Sequence, residues 1–156
     1  MLKNLILTGL VATISFASHA QDVTYRTDIA PLWKQKCAAC HGADAPTLGE
    51  FEADKKKFEA RQLGPRMNTY ADLLFYVGWP ETGALMRRLD DGKTSSDAKP
   101  GNMYQNLGAN EAERQKNLQL FKAWVGVDAW NPKRWEARGK VPAITKEEMN
   151  KIKAKY

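Results

Sequence analysis

Cysteine and histidine are nearly missing from this 156-residue chain, which holds two of each. So few cysteines rule out a fold stapled by several disulfides. A bridge between the two, Cys37 and Cys40, would close a loop too small to hold a fold together, in strained geometry. Long apolar runs are also missing. The run from Leu5 to Phe16 is too short to span a bilayer, and nothing later approaches ~18 consecutive apolar residues. Internal repeats and low-complexity tracts are absent, so the composition is that of an ordinary hydrophilic globular chain.

The start of the chain, MLKNLILTGLVATISFASHA, has a charged residue at Lys3, then a short apolar stretch, then the small residues Ser18 and Ala20 flanking His19. This is the layout of a secretory signal peptide rather than a retained anchor. We read residues 1–20 as leader, residues 21–126 as the main domain and residues 127–156 as an extension. Losing Lys3 takes the formal charge from +6 to +5 and leaves His41 as the one histidine. The expected location is the periplasm. For an exported basic protein, nucleic acid is a poor partner, and acidic protein surfaces or an anionic membrane face suit the charge better.

Both cysteines and His41 fall in one pentad, CAACH, at residues 37–41. A thioredoxin-like redox pair needs a strand before it in a βαβ pattern, and a helical stretch precedes this one. A structural zinc site needs four ligands, and the mature chain has three Cys and His in total. CxxCH is the signature of covalent c-type haem attachment, and that chemistry uses every residue of the pentad. On a helix, positions i and i+3 share a face, so both thiols can reach the two vinyl groups on one porphyrin edge. His41 then lies under the ring as an iron ligand.

Asp28 as N-cap and Pro31 in the first turn open a helix predicted over residues 29–40. Residues 42–49 read as a loop, and Pro46 offers a carbonyl for the second ring nitrogen of His41. Residues 50–63 read as a charged surface helix or flap carrying Lys55, Lys56 and Lys57. Residues 70–92 form a helical pair broken near Pro80. Asn110 and Glu113 cap the strongest helix, which ends at Gly126. Thr145 and Glu148 cap a short final helix, and Trp130 and Trp135 fall in the loop before it.

The second iron ligand must come from something other than histidine. Met86 and Met149 sit on helices among apolar neighbours and read as core. Met67 and Met103 lie in loops beside Gly and Pro, where backbone can approach a flat cofactor closely. Both stay open on these grounds, with Met103 in the better context before the long helix.

The segments TDIAPLWKQKCAACHG, APTLG and NMYQNLGANEAERQKNLQLFKAWVG, taken in that order, resemble the class I c-type cytochromes, monohaem proteins with His/Met ligation. The resemblance implies an all-α fold of cytochrome c-like helices packed around one covalently bound haem, here with a C-terminal extension. It implies thioethers at Cys37 and Cys40, His41 as proximal ligand and Met103 as distal ligand. It also implies that the helix with Phe121 and Trp124 crosses the one with Ile29 and Trp33. Tyr104 stands where many members carry proline after the methionine.

A haem with both axial positions filled changes oxidation state with little rearrangement, so the expected function is electron carriage rather than enzymic catalysis. Trp33, Tyr70, Trp79, Phe121 and Trp124 are candidates for its apolar shell. Lys34, Lys36, Lys93 and Lys99 are candidates to ring its exposed edge and meet an acidic redox partner. A haem sensor or enzyme with an open distal site is the second reading, and an electron-transfer subunit of a larger complex is the third.

Overall fold

Short polar side chains start most of the helices. Thr47, Asp54, Thr69, Asn110 and Thr145 each accept a backbone N–H from the first turn that follows. These side chains satisfy donors that would otherwise have no helical partner. The resulting elements are α3 (Leu48–Ala53), α4 (Lys55–Ala60), α5 (Tyr70–Val77), α7 (Glu111–Val125) and α8 (Lys146–Lys151), with α6 (Ala84–Leu89) between α5 and α7. The computed structural model describes residues 22–95 and 97–156, and all regular structure among them is helical. The leader expected over residues 1–20 lies outside the described residues.

The predicted helix over 29–40 is two helices. Thr24, rather than Asp28, opens the segment with a π-helical turn, Tyr25–Ile29. The Asp28 carboxylate instead reaches back to the Thr24 N–H at 2.9 Å and the Thr27 hydroxyl at 2.6 Å. Helix α1 (Ala30–Lys36) follows with proline in its first turn, and a break at Cys37 (φ −124°) separates it from α2 (Ala38–His41). The pentad therefore straddles a joint. The Cys37 carbonyl still accepts the Cys40 and His41 N–H groups, so the two cysteines remain one turn apart.

Apolar faces of α1, α5, α6 and α7 meet in one core. Ile29, Leu73, Val77, Leu118, Phe121, Trp124 and Val125 are fully buried in it. The expected crossing is present: the Trp33 and Phe121 rings meet edge to face at 6.3 Å. Residues 153–155 complete it. Lys153 and Ala154 donate backbone N–H groups to Val125 and Trp124, at 2.9 and 2.7 Å. The Lys155 carbonyl accepts both the Tyr25 N–H at 2.7 Å and the Trp124 indole N–H at 2.9 Å. Helices α3 and α4 stand apart from this core; Phe51 is buried and stacks on Phe58 at 6.3 Å.

Two core expectations divide. Met86 is 1% exposed, and its sulfur accepts the Asn131 N–H. Met149 is 52% exposed, because α8 turns that side away from the core. Among the described residues, no helix is long and apolar enough to cross a membrane.

Candidate cofactor site

His41 ends α2 with its imidazole buried. Its Nδ1 lies 2.8 Å from the carbonyl oxygen of Pro65. A carbonyl only accepts, so Nδ1 carries the proton and Nε2 keeps its lone pair. Burial pushes the imidazole pKa down, with the Pro65 bond acting the other way, so the neutral form prevails at neutral pH. Pro46, the expected partner, is spent elsewhere: its carbonyl accepts the Arg66 N–H at 2.8 Å. That bond, with Gly64 N–H to Cys40 O and Met67 N–H to His41 O (both 2.9 Å), lays residues 64–67 along the pentad. Gly64 packs directly on the imidazole. A Cβ there would sit 2.2 Å from Cε1 and 2.7 Å from Nδ1, so only glycine fits.

Burial, with Cys40 beside it, pushes the Cys37 thiol up to about 12. A redox dithiol works through a depressed thiolate, and the Cys37 thiol is shifted the other way. Among the described residues, no three of His, Cys, Asp or Glu converge as a metal site made of those side chains would require.

Cys37, Cys40, His41, Met67 and Met103 all line one cavity of about 950 Å³. That is near the top of the roughly 300–1,000 Å³ typical of cofactor sites. The two methionines reach it from different parts of the chain. Met67 is bonded through its backbone to His41 itself. Met103 is held by the end of α6, where its N–H meets the Arg88 carbonyl at 3.0 Å and the Gly101 N–H meets the Asp90 carbonyl at 2.8 Å. A Cβ at Gly101 would lie 2.3 Å from the Arg87 and Arg88 carbonyl oxygens. The glycine beside Met103 thus admits the chain's own backbone, where the sequence suggested room for a cofactor.

Of the five aromatic candidates, Trp33 alone lines the cavity. Phe121 and Trp124 belong to the helix crossing, and Tyr70 packs on Tyr25 and Tyr156. Trp79 is 67% exposed. Their places on the wall go to Phe51, Tyr76, Leu85 and Trp135. Of the four lysines, Lys36 and Lys99 line the cavity, and Lys36 is paired with Glu113 at 2.5 Å. Two buried donors on the wall have no hydrogen-bond partner among the described residues: Trp33 Nε1 and Arg138 Nη1. Burial raises the Tyr76 phenol above its ordinary range, and the Arg138 guanidinium beside it pulls the other way.

Sequence reasoning took Gly64 and Pro65 only as the loop beside Met67 and Trp135 only as a loop residue, without their contacts to the site, and missed Arg138. The Gly-Pro dipeptide was a readable sign of a rigid turn. No local pattern marks Trp135 or Arg138, whose place depends on the whole fold.

The chain matches the family model described as PccH cytochrome c over residues 24–156. It is also similar to a solved structure, that of the monohaem cytochrome PccH from Geobacter sulfurreducens. The two are 59% identical, over 86% of this chain and 99% of that one, with a TM-score of 0.75. No curated protein matches it.

Proposed function

This chain belongs to the PccH cytochrome c family and is an electron-transfer haem protein, and from that premise we propose that it is a soluble periplasmic carrier with one covalent haem. Cys37 and Cys40 would hold the group through thioethers, with His41 and Met103 as iron ligands. Bound there, the haem iron supplies one-electron chemistry between Fe(III) and Fe(II).

The observation that carries this reading is the state of His41. A neutral imidazole, its tautomer fixed by the Pro65 carbonyl and its face pressed by Gly64, offers a lone pair at Nε2 in a cavity shared with both cysteines. The remaining residues suit the group. Trp33 Nε1 and Arg138 Nη1 are donors without a partner among the described residues, in a wall that mixes apolar and charged side chains, and they are matched to the carboxylates of a haem edge. Phe51, Leu85 and Leu89 make an apolar part of that wall, and apolar contact favours the less charged reduced state. Met103 is preferred to Met67, because Met67 is tied to the segment that already presents the histidine. A thioether ligand favours ferrous iron. The leader-like residues 1–20 support export, since c-type haem is attached outside the cytoplasm.

The test is the absorption spectrum of the matured protein, oxidised and reduced, with CO added to the reduced form. Expected are haem that resists acid–acetone extraction, a far-red methionine–iron band and no CO response. The band should vanish in Met103→Ala and survive in Met67→Ala. A high-spin spectrum that shifts readily with CO would replace the carrier with a sensor or enzyme.

A further inference from the structure

Residues 130–138 have no regular structure, yet Trp135 and Arg138 form part of the cavity wall. Three contacts hold them in place, two of them to other residues of that wall, Arg88 and Glu52. The Trp135 indole N–H donates to the buried Glu81 carboxylate. The Arg88 guanidinium lies 4.8 Å from the Trp135 ring centroid. The Arg138 Nε lies 3.1 Å from the Glu52 carboxylate on α3.

The last contact differs in kind from the other two. Glu52 and Arg138 both line the cavity, and they join α3, which lies outside the main core, to the C-terminal segment. The ion pair also leaves charge unspent: Arg138 Nη1 is buried without a hydrogen-bond partner among the described residues, while the same guanidinium lies beside the Tyr76 hydroxyl. The cationic N–H groups of Nη1 therefore remain for whatever the cavity holds, and one carboxylate sets the direction from which they are offered. Both side chains keep partial exposure, Arg138 at 32% and Glu52 at 45%, so solvent and salt screen the pair in part and its effect shrinks as ionic strength rises.

We propose that Arg138 and Glu52 are positioning residues that set the reduction potential: Arg138 favours the reduced state and Glu52 opposes it. The proposal rests on the reading that this cavity holds the haem. A cation near the iron stabilises the ferrous state, which carries one positive charge fewer, and an anion stabilises the ferric state. The pair thus works as two opposed charges of unequal weight, delivered by parts of the chain far apart in sequence.

The experiment is spectroelectrochemical titration of the mature holoprotein and four variants. Arg138→Gln should shift the midpoint potential down and Glu52→Gln should shift it up. Arg138→Lys should stay near the parent, and the double variant should fall between the single ones. If the pair only closed the wall, breaking it from either side would admit water and lower both potentials; that result overturns the proposal. Unmoved potentials in both single variants overturn it as well. A parent without a c-type haem spectrum removes the premise along with the proposal, while a haem-bearing parent with same-direction shifts leaves the carrier reading standing.

Discussion

Replacing Gly64 with alanine places a methyl group where the His41 ring already is. The built Cβ lies 2.2 Å from Cε1, and carbon atoms rest at about 3.5–4.0 Å. The ring or the loop must give by more than about 1 Å. The Nδ1–Pro65 contact, 2.8 Å in the native protein, then passes the limit of a hydrogen bond. Overpacking costs about 1–3 kcal/mol and the lost bond about 0.5–1.5 kcal/mol. For a domain of this size the sum corresponds to a fall in Tm on the order of 10 °C. The assay is thermal unfolding of the mature holoprotein beside its absorption spectrum, where a high-spin component should appear as the imidazole loses its anchor. Gly49→Ala is the control. Its Cβ meets nothing within 4 Å on an exposed turn of α3, so it should be neutral or stabilising by up to about 1 kcal/mol. Equal melting of Gly64→Ala and the parent would refute the claim that this glycine is fitted to the imidazole.

Met86→Ala should cost about 2–5 kcal/mol by leaving a core cavity, while Met149→Ser should stay within about 0.5 kcal/mol; urea unfolding separates them. Trp124→Phe removes the indole N–H that meets Lys155 and leaves a void where the larger ring packed, so in the same assay it should cost more than the roughly 1 kcal/mol of the hydrogen bond alone. The Asp28 carboxylate is held below its ordinary range by the Thr27 hydroxyl and then the Thr24 N–H, and Glu50 likewise by the Thr47 hydroxyl and N–H. Depressed carboxylates stabilise the fold above their unfolded values, about 3.9 and 4.3, and lose that contribution as pH falls through the folded ones. Tm followed from pH 6 downward should therefore decline below about pH 4, and less steeply in Asp28→Asn. Lys99 sits on the cavity wall, so Lys99→Glu should slow oxidation by an anionic metal complex and speed it by a cationic one. Added salt should shrink both effects.

What the sequence made legible was whatever depends on short range. The Thr145–Glu148 box and the Asn110 cap appear where their spacing puts them, since a cap needs only its own first turn. The pentad was equally plain, because its spacing is its chemistry. Readings failed where one segment had to choose among distant partners. Pro46 and Pro65 both flank the site, and only the fold shows that the Arg66 N–H claims the first and frees the second for His41. Trp79 and Trp135 look alike in sequence. One is left in solvent and the other is carried to the cavity by a segment with no periodic pattern at all. Met149 had a helical apolar neighbour in Ile152, yet α8 is too short for that spacing to settle which side is covered.

The bonds from Lys155 to Tyr25 and to Trp124 bear on the order of events during folding. They bring residues near the two ends of the described chain together at the helix crossing, so the contact closes one of the largest loops the chain can make. Such contacts form late, after shorter loops have recovered the entropy of closing. Until residues 153–155 arrive, Tyr25 and the Trp124 indole lack their shared acceptor, and the crossing above the pentad stays loose. A chain emerging N-terminus first therefore presents Cys37 and Cys40 well before the lock is available. The proposed covalent attachment gains an interval in which the half-buried Cys37 can be reached more freely than in the closed fold, while Cys40 stays exposed throughout.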